Sequence, residues 1–401
     1  MLPEEILQIA NADVQDYLFA NTDEDEKKLL LAGKEIFGIR APLIAQQIAA
    51  RKKAEAKLPL FFNTSGVVYP PSLNLEQTSS EATGKFKAQI VSKETSQQQL
   101  TVADLTGGFG VDSFFLSTIA KSLDYVESDA ELLSIAMHNH AVLGNSTIEH
   151  HHQTAEEFLD KIKTGYDLIY LDPSRRDSNS KKIFRLADCQ PNIQTLLPKI
   201  FDYSKLVLVK ASPLLDIQQG LIELRFVKKV FVVSVGNECK ELLFMMLKEF
   251  TSEPSIETIN LNSDGTVKHI FSFTFNEEKE INSVINTPQA YLYEPNASIL
   301  KAGAFKSIGE KFDLQKIATS THLYTSNLLQ SDFPGRVFKI ENQKLDVKDL
   351  VGEKANIITR NYPLKPEEIK KKFKIIDGGN QYVIAFSGAS KKFVVLATRL
   401  E

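Results

Sequence analysis

The chain has 401 residues and a formal net charge of −4, with 43% hydrophobic and 24% charged residues. This length exceeds one ordinary hydrophobic core, so about two to four domains are expected. The net negative charge excludes a basic surface over the whole chain and leaves only local basic patches for binding nucleic acid. Two cysteines are too few for a disulfide framework, which favours a reducing cytoplasm.

Residues 1–90 are predicted to form a helical region. Apolar residues recur at three-and-four spacing in DEDEKKLLLAGKEIFG and APLIAQQIAARKKAEAKLP, and SLNLEQTSSEATGKFKAQIV is predicted to hold another helix. The stretch MLPEEILQIANADVQDYLFAN lacks the basic start and the long apolar segment of a signal peptide. No apolar run reaches the roughly 18 residues of a membrane span, so no membrane association is expected.

Residues 91–250 alternate between apolar runs and helical patterns. Strands are predicted at LTVADLT, LDYVES, STIEHHH, YDLIYLDP, KLVLVKAS and VKKVFVVSVG, and helices lie between most of them. Strands that are apolar on both faces and separated by helices indicate a mostly parallel sheet covered on both sides. The pattern therefore predicts a doubly wound, Rossmann-like α/β domain. The segment NECKE is interpreted as a strand-to-helix turn, at which Asn237, Glu238 and Lys240 either line a substrate mouth or cap the helix.

The rest of the chain has an α+β pattern. Strands at SIETINLN, VKHIFSFTF and INTPQAYLYEP and a helix at NASILKAGAFKSIGEKF predict a small ferredoxin-like connector over residues 251–322. Residues 323–401 contain RVFKIEN, NIITRNYP, the helix KPEEIKKKFKI, and a hairpin of QYVIAFS and KKFVVLATRL turning at GASKK. This tail is predicted to be a second small α+β module.

A glycine-rich loop, VADLTGGFGVDS, joins the first strand of the α/β domain to its first helix. Gly107, Gly108 and Gly110 let the backbone turn tightly and approach a ligand, and the helix start directs free N–H groups to the same place. The G-x-G-x-x-G spacing of dinucleotide loops is missing because position 113 is Ser, and no G-K-[ST] follows. Asp104 at the strand end suits a cationic or zwitterionic ligand better than a polyphosphate.

Two further strand ends complete the predicted ligand site. Glu127 stands where an acid commonly binds two ribose hydroxyls. Thr154, Ala155 and Glu156 follow the third strand and are predicted to meet a base edge, although Glu156 is equally compatible with an exposed acid at a helix N-terminus. An amino acid, a ribose and an adenine together describe S-adenosylmethionine.

The glycine loop and the strand after it resemble the class I S-adenosylmethionine-dependent methyltransferases. Their usual D-L-G-C-G-T-G aligns without gaps on DLTGGFG, with Thr106 in place of the first glycine, and YVESDAELLSIAMHNHAVLG resembles their second motif. The alternative is a tight strand-to-helix turn without a ligand. The resemblance implies a cofactor held by residues from three strand ends: Asp104, Thr106, Gly107, Gly108, Phe109, Gly110, Glu127, Ser128, Ala155 and Glu156.

The fourth strand ends in YDLIYLDPSRRD. In the methyltransferases resembled here this end faces the transferred methyl group, and enzymes that methylate base amines carry [DN]-P-P-[YFW] there. Asp172 and Pro173 match, whereas Ser174 and Arg175 replace the second proline and the aromatic residue. The resemblance implies that Asp172 orients an acceptor amine. Arg175 and Arg176 would stack on a base or bind a phosphate of the substrate.

The segment after Asp172 is basic, which favours a polyanionic substrate. Its cations are Arg175, Arg176, Lys181, Lys182 and Arg185. The alternative is a solvated loop with a salt bridge to Asp177 or Asp188. These motifs also resemble a bacterial family that methylates the N2 of a guanine in small-subunit ribosomal RNA.

The C-terminal tail resembles that of a bacterial methyltransferase group with a THUMP-like domain, on YEPNASILKAG, RVFKI and LKPEEIKKKFKI. THUMP modules serve as RNA-binding domains beside methyltransferase domains, and the lysines of residues 365–374 offer a basic face, or alternatively an ordinary solvated one. The sequence therefore predicts a methyltransferase of a base amine of RNA. The alternatives are a methyltransferase of a small molecule or protein, and a non-catalytic RNA-binding protein. No metal is expected, because His150, His151 and His152 alternate between the faces of a strand.

Overall fold

The computed structural model describes residues 1–24, 35–97, 99–174, 186–343, 345 and 352–400. The chain forms two compact units. The first comprises Met1–Gly236, Lys240–Ser252 and Leu261–Val267, and the second comprises Asn237–Cys239, Glu253–Asn260 and Lys268–Glu401. The N-terminal helices and the α/β region therefore belong to one unit.

The first unit begins with a series of helices, two of which start at a capping side chain. Its first elements are α1 (Pro3–Ile9), α2 (Ala12–Ala20), β1 (Glu35–Ile36), β2 (Ile39–Arg40), α3 (Ala41–Lys57), α4 (Pro59–Asn63), α5 (Ser72–Gln77) and α6 (Glu81–Thr95). The Asn11 side chain accepts a hydrogen bond from the Asp13 N–H at the start of α2, and Ser80 accepts one from the Thr83 N–H in α6. These bonds satisfy N–H groups that the first helical turn leaves without a partner.

The helix predicted over DEDEKKLLLAGKEIFG is wrong at its C-terminal end. β1 and β2 pair there as an antiparallel hairpin. Phe37 and Gly38 between them both have positive φ, which is the backbone of a two-residue hairpin turn and is incompatible with a continuing helix. Residues 25–34 of the predicted helix lie outside the described residues.

The N-terminal helices share one hydrophobic core with the α/β region. Ile44, Ile48 and Phe61 are buried in the same cluster as Phe109 and Phe115. The extended segment between α4 and α5 is held on both sides by side-chain amides. The Gln47 amide exchanges two hydrogen bonds of 2.8 Å with the Tyr69 backbone. The Asn139 amide exchanges two, of 2.9 and 2.8 Å, with the Val68 backbone.

A mostly parallel sheet forms the centre of the first unit. Its elements are β3 (Leu100–Asp104), α7 (Val111–Ser117), β4 (Ala120–Glu127), α8 (Ala130–Val142), β5 (Ile148–His152), α9 (Ala155–Lys161), β6 (Leu168–Leu171), α10 (Ile193–Tyr203), β7 (Leu206–Ala211), α11 (Ile217–Glu223), β8 (Val227–Val235) and β9 (Glu238–Leu247). These seven strands are ordered β8-β9-β7-β6-β3-β4-β5 within a nine-stranded sheet. β5, β4, β3, β6 and β7 are parallel to one another, and β9 pairs with β7 antiparallel. The doubly wound α/β prediction is confirmed.

The strand-to-helix turn predicted at NECKE is wrong. Glu238 begins strand β9, so the chain turns back between β8 and β9 through Gly236 and Asn237. Both of these residues have positive φ, which favours glycine and asparagine and closes a tight hairpin. Asn237, Glu238 and Lys240 therefore start no helix directly after β8. The Asn237 side chain instead accepts a 2.8 Å hydrogen bond from the N–H of Ala297, which begins a helix later in the chain.

The second unit contains two further strands and a seven-stranded sheet with short helices. Its elements are β10 (Ser255–Leu261), β11 (Val267–Phe273), α12 (Phe275–Glu280), β12 (Tyr291–Pro295), α13 (Ala297–Ala302), α14 (Ser307–Lys311), β13 (Gln315–Ala318), β14 (Thr321–Ser326), β15 (Gly335–Asn342), β16 (Asn356–Arg360), α15 (Pro366–Phe373), β17 (Gln381–Ser387) and β18 (Lys392–Leu400). The larger sheet has the order β13-β14-β12-β15-β18-β17-β16.

Two predictions for this unit can be compared directly with its elements. The hairpin of β17 and β18 pairs antiparallel from Ser387 and Lys392 outwards, as predicted. The single helix predicted over NASILKAGAFKSIGEKF is two helices, α13 and α14. Gly303 has a φ of +80°, the left-handed conformation that ends α13.

Candidate active site

A cavity of about 750 Å³ opens at the carboxyl ends of β3, β4, β5 and β6 in the first unit. Parallel strands present their carboxyl ends at one edge of a sheet, and ligands of α/β proteins bind at that edge. Thirteen of the residues predicted to bind cofactor or substrate lie on its wall: Asp104, Thr106, Gly107, Gly108, Phe109, Glu127, Ser128, Thr154, Ala155, Glu156, Asp172, Pro173 and Ser174.

The glycine loop fits tightly against β4. A side chain on Gly107 would place its Cβ 2.2 Å from the ring of Tyr125, so only glycine fits there. The Tyr125 hydroxyl donates a 2.6 Å hydrogen bond to the Gly108 carbonyl, and the Gly107 N–H donates to the Val126 carbonyl at 2.9 Å. The loop backbone is thereby fixed before any ligand binds.

Gly110 does not line the cavity but precedes the first residue of α7, with a φ of +82°. Its Cβ would approach the His140 ring to 2.5 Å. The Nε2 of His140 lies 2.9 Å from the Gly110 carbonyl, and its Nδ1 lies 2.9 Å from Nε2 of His150. Burial lowers the pKa of His140 to about 4, so the neutral ring donates one of these bonds and accepts the other.

Asp104 occupies a buried position at the end of β3. Its carboxylate accepts hydrogen bonds from the Thr106 N–H at 3.0 Å and from the Ser113 hydroxyl. Burial, and to a lesser extent the nearby carboxylates of Asp112 and Asp172, raise the pKa of Asp104 to about 7. The sequence predicts that Asp104 binds the ammonium group of a ligand. Among the described residues, no cation pairs with the Asp104 carboxylate.

Glu127 ends β4 with its carboxylate turned toward the glycine loop. It accepts hydrogen bonds from the N–H of Gly108 at 2.7 Å and from that of Asp129 at 2.8 Å. Thr154 caps α9 through the Glu157 N–H, so Ala155 and Glu156 form the first turn of that helix beside the cavity. The carboxyl ends of β3, β4 and β5, which are expected to bind one ligand, therefore line the same cavity.

Thr106, the departure from the glycine pattern, links β3 to β6. Its hydroxyl accepts a 2.6 Å hydrogen bond from the Asp172 N–H and lies 3.4 Å from a carboxylate oxygen of Asp104. A glycine at this position would leave the Asp172 N–H without this partner. The substitution has a structural reason that the motif alone could not reveal.

Asp172 is paired with a lysine from the neighbouring strand. The Lys210 ammonium on β7 lies 2.5 Å from Oδ2 of Asp172, and the lysine side chain is buried. Burial alone would lower the pKa of Lys210, but the carboxylates of Asp172, Asp112 and Glu241 outweigh it and raise that pKa. Lys210 therefore stays charged and holds one oxygen of Asp172 in a fixed place.

A second buried lysine lies behind the cavity and was missed by sequence reasoning. The Lys87 ammonium on α6 lies 3.1 Å from Asp112 and 2.8 Å from Glu241. Asp112 also accepts 2.7 Å hydrogen bonds from the hydroxyls of Ser79 and Tyr170. Burial would raise the pKa of Asp112, but Lys87 and then Lys210 hold it at about 2. No sequence signal marks this group, because Lys87 and Glu241 are 154 positions apart.

Two more parts of the cavity wall were not predicted. One comes from the end of α5 and the residues after it: Asn74, Gln77, Thr78 and Ser79. The other precedes α10: Ala187, Asp188, Cys189, Gln190, Pro191 and Asn192. Side-chain amides occur in both walls, and hydroxyl groups in the first, and these groups can donate hydrogen bonds to a polar substrate or accept them from it.

The predicted substrate arginines, Arg175 and Arg176, lie outside the described residues, as do the other cations of that segment. Within the described part of the chain, one group of possible metal ligands lies close together: Asp124, Glu149 and His151. In that group the Nε2 of His151 lies 2.6 Å from an Asp124 oxygen, and the Tyr166 hydroxyl donates to the other at 2.8 Å. The described helices include none with the length and apolar character needed to cross a membrane.

The strand order, with antiparallel β9 inserted between β7 and β8, and the acid–glycine loop–acid arrangement at the strand ends define the class of protein. This is the fold of S-adenosylmethionine-dependent methyltransferases. A crystal structure of a "putative methyltransferase" from Porphyromonas gingivalis W83 is 31% identical to this chain, covers 99% of both chains and superposes with a TM-score of 0.85.

Other comparisons agree with this class. Proteins from two Mycobacterium tuberculosis strains, CDC 1551 / Oshkosh and ATCC 25618 / H37Rv, are each described as an uncharacterized S-adenosylmethionine-dependent methyltransferase. Each is 22% identical over 281 residues, which is 70% of this chain and 73% of that protein. A ferredoxin-like domain model matches residues 291–334, and a THUMP domain-like model matches residues 335–399. The chain belongs to the family of the P. gingivalis protein and is an S-adenosylmethionine-dependent methyltransferase with a THUMP-like domain.

Proposed function

We propose that this enzyme transfers a methyl group from S-adenosylmethionine to a base amine of RNA. The observation that carries the proposal is Asp172, whose carboxylate stands at the end of β6 in the cavity that the glycine loop also lines. Lys210 engages Oδ2 of Asp172, and no described residue is bonded to Oδ1. An oxygen held in this way is suited to accept a hydrogen bond from an amine and to orient its lone pair.

The cofactor would be held by the three strand ends around the glycine loop. Asp104 would accept hydrogen bonds from the ammonium group, Glu127 would bind the ribose hydroxyls, and Ala155 with Glu156 would meet the adenine. Bound S-adenosylmethionine supplies the methyl group on a sulfonium, which is an electrophile without further activation. The main contribution of the protein to the rate is therefore that Asp172 positions the amine. The surplus proton of the methylated amine can leave after transfer.

RNA is favoured over a small molecule by two features outside the cavity. The THUMP domain-like match at residues 335–399 brings a module of a type that serves in RNA binding. The sequence after Asp172 carries five cations within residues 175–185, enough to contact several phosphates. Within this proposal Arg175 and Arg176 contact the RNA rather than the cofactor.

Transfer of labelled methyl groups tests the proposal. Purified protein is incubated with S-adenosylmethionine labelled in its methyl group and with total RNA, or with total protein, or with a small-molecule extract. Asp172→Ala is compared with Asp160→Asn, which removes an exposed carboxylate of α9. Label in RNA that falls at least about tenfold with Asp172→Ala alone supports the proposal. Label in the protein or small-molecule fraction instead would refute RNA as the substrate.

A further inference from the structure

Two arginines in the second unit share one buried carboxylate. Glu294 in β12 is only 3% exposed, whereas the side chains of Arg336 in β15 and Arg360 at the end of β16 are 28% and 40% exposed. Nε of Arg336 donates to one Glu294 oxygen at 2.7 Å, and Nη2 contacts the same oxygen. Nε and Nη2 of Arg360 contact the other oxygen.

The charges of this group do not cancel. One carboxylate neutralises one guanidinium, so the group keeps a net positive charge, and the two cations are held close together despite their repulsion. An internal clamp between strands would need only one arginine. Both guanidiniums also use the same edge, formed by Nε and Nη2, for Glu294. Their Nη1 groups therefore point elsewhere.

The outward groups of this pair are available to a ligand. Nη1 of Arg360 donates one hydrogen bond to the Thr359 carbonyl at 2.7 Å, and Nη1 of Arg336 has no hydrogen-bond partner among the described residues. Arg360 is in register with Phe386, and Phe386 pairs with Phe393, so these side chains share one face of the sheet. The Lys391 ammonium lies over the Phe393 ring, 5.1 Å from its centre, and adds a further cation to that face.

We infer that Arg336 and Arg360, termed here the arginine pair, bind a phosphate of the RNA backbone. A guanidinium already held in a plane by a buried carboxylate loses little side-chain freedom when it binds an anion. Its remaining N–H groups match the geometry of phosphate oxygens. The inference rests on the proposed RNA substrate and adds a contact in the second unit, where it supplies affinity without reading sequence.

Binding of fluorescent single-stranded poly(U) RNA to the full chain over a range of NaCl concentrations tests the inference. Arg336→Gln and Arg360→Gln are each expected to weaken binding about tenfold and to flatten the salt dependence by about 0.7 in the log–log slope. Lys199→Gln is the matched control, because it removes one positive charge from an exposed ion pair in the first unit. Thermal unfolding of the second unit, which carries both arginines, should be the same in the arginine variants as in the wild type and verifies that this unit is folded.

Folded arginine variants that bind poly(U) as tightly as the wild type would overturn the inference and leave the group as an internal clamp. If the glutamine variants fail to fold, Arg336→Lys and Arg360→Lys replace them. These retain the charge but lose the planar fork, so about threefold weaker binding is expected and unchanged binding overturns the inference.

A second experiment distinguishes a failure of this phosphate site from a failure of the proposed RNA substrate. The Nε–H signals of Arg336 and Arg360 are followed by nuclear magnetic resonance in protein labelled with ¹⁵N-arginine and assigned with the variants. Shifts with poly(U) support the inference. If the wild type binds no RNA but the signals shift with inorganic pyrophosphate, the RNA substrate is refuted and the site binds a small phosphate. If neither ligand shifts the signals, the site itself is refuted.

Discussion

Asp104 lies at a buried position where an uncharged carboxyl favours folding and a charged carboxylate favours binding of the cofactor's ammonium group. Its pKa is raised from 3.8 to about 7, chiefly by burial. The folded protein therefore keeps a proton that the unfolded chain loses, and the stabilising contribution of Asp104 is complete below about pH 4 and is lost as the pH rises to about 7. A bound ammonium group would provide the charge partner that the residue lacks.

Asp104→Asn should separate these two demands. Asparagine keeps one oxygen acceptor for the Thr106 N–H, and its NH2 group can donate to the Ser113 hydroxyl in place of accepting from it. Because asparagine cannot ionise, the variant should be about 2 kcal/mol more stable than the wild type at pH 8 and little changed at pH 4. Its affinity for S-adenosylmethionine should fall at least about tenfold, because a charge-assisted hydrogen bond is lost. Denaturant unfolding at both pH values and calorimetric titration provide the readouts. Parallel stability profiles for the two proteins would contradict the account.

Gly107 has a steric role that can be tested against another glycine. Gly107→Ala should abolish cofactor binding and cost more than about 2 kcal/mol, because its Cβ would collide with the Tyr125 ring and the loop backbone is tied to β4. Gly144→Ala is the control, since Gly144 has a φ of +75° and open space around its Cβ. It should cost only about 1 kcal/mol of backbone strain. Equal effects in thermal unfolding would show that the Tyr125 contact does not matter.

At the scale of elements, the ends of β6 and β7 act together through Asp172 and Lys210. Lys210→Met should lower the rate of methyl transfer about 10- to 100-fold, because the carboxylate loses the cation that fixes its orientation. Lys210→Arg should recover part of that rate. Lys248→Met is the control, because its ammonium donates to the Phe201 carbonyl at 2.6 Å and Lys248 does not line the cavity. A fall in cofactor affinity instead of in rate would assign Lys210 a purely structural role.

Local sequence patterns predict some elements of this fold and not others. The strands and glycine loop around the cavity follow from apolar runs and from an acid four positions before a G-x-G, which are signals contained in short windows. The β8–β9 hairpin also had a local signal, because Gly236 and Asn237 are typical of a two-residue turn, but the apolar run after it was assigned to a helix. The walls from residues 74–79 and 187–192 depend on how distant segments pack, and no window of sequence contains that information.

At the scale of the whole molecule, two compact units predict two unfolding transitions rather than one. S-Adenosylmethionine should raise only the transition of the first unit, because a ligand stabilises the unit whose folded state binds it. Lys87→Met should lower the free energy of unfolding of the first unit by about 3 kcal/mol, because Asp112 and Glu241 lose the buried cation that contacts both of them.

Glu278→Ala should lower the temperature of the unfolding transition of the second unit alone. The Glu278 carboxylate accepts hydrogen bonds from the N–H groups of Phe305, Lys306 and Ser307 at 2.8–3.0 Å, and these lie at the start of α14 in the second unit. The loss should be about 1–2 kcal/mol, as for other helix caps. Differential scanning calorimetry of both variants provides the test. A single transition that moves as one in every variant would contradict independent units.

The core shared by the N-terminal helices and the glycine loop limits how this enzyme can be divided. Phe109 lies in the loop itself, yet its ring packs in tilted contact with those of Phe61 and Tyr69, with ring centres 5.6 and 6.3 Å apart. A fragment that began at β3 would keep every motif of a methyltransferase and would expose the apolar faces of Phe109, Phe115 and Ile135 to water. Such a fragment should aggregate on expression. Gene fusions or domain exchanges that preserve activity should therefore keep α1–α6 together with the α/β region, and never join the chain between α6 and β3.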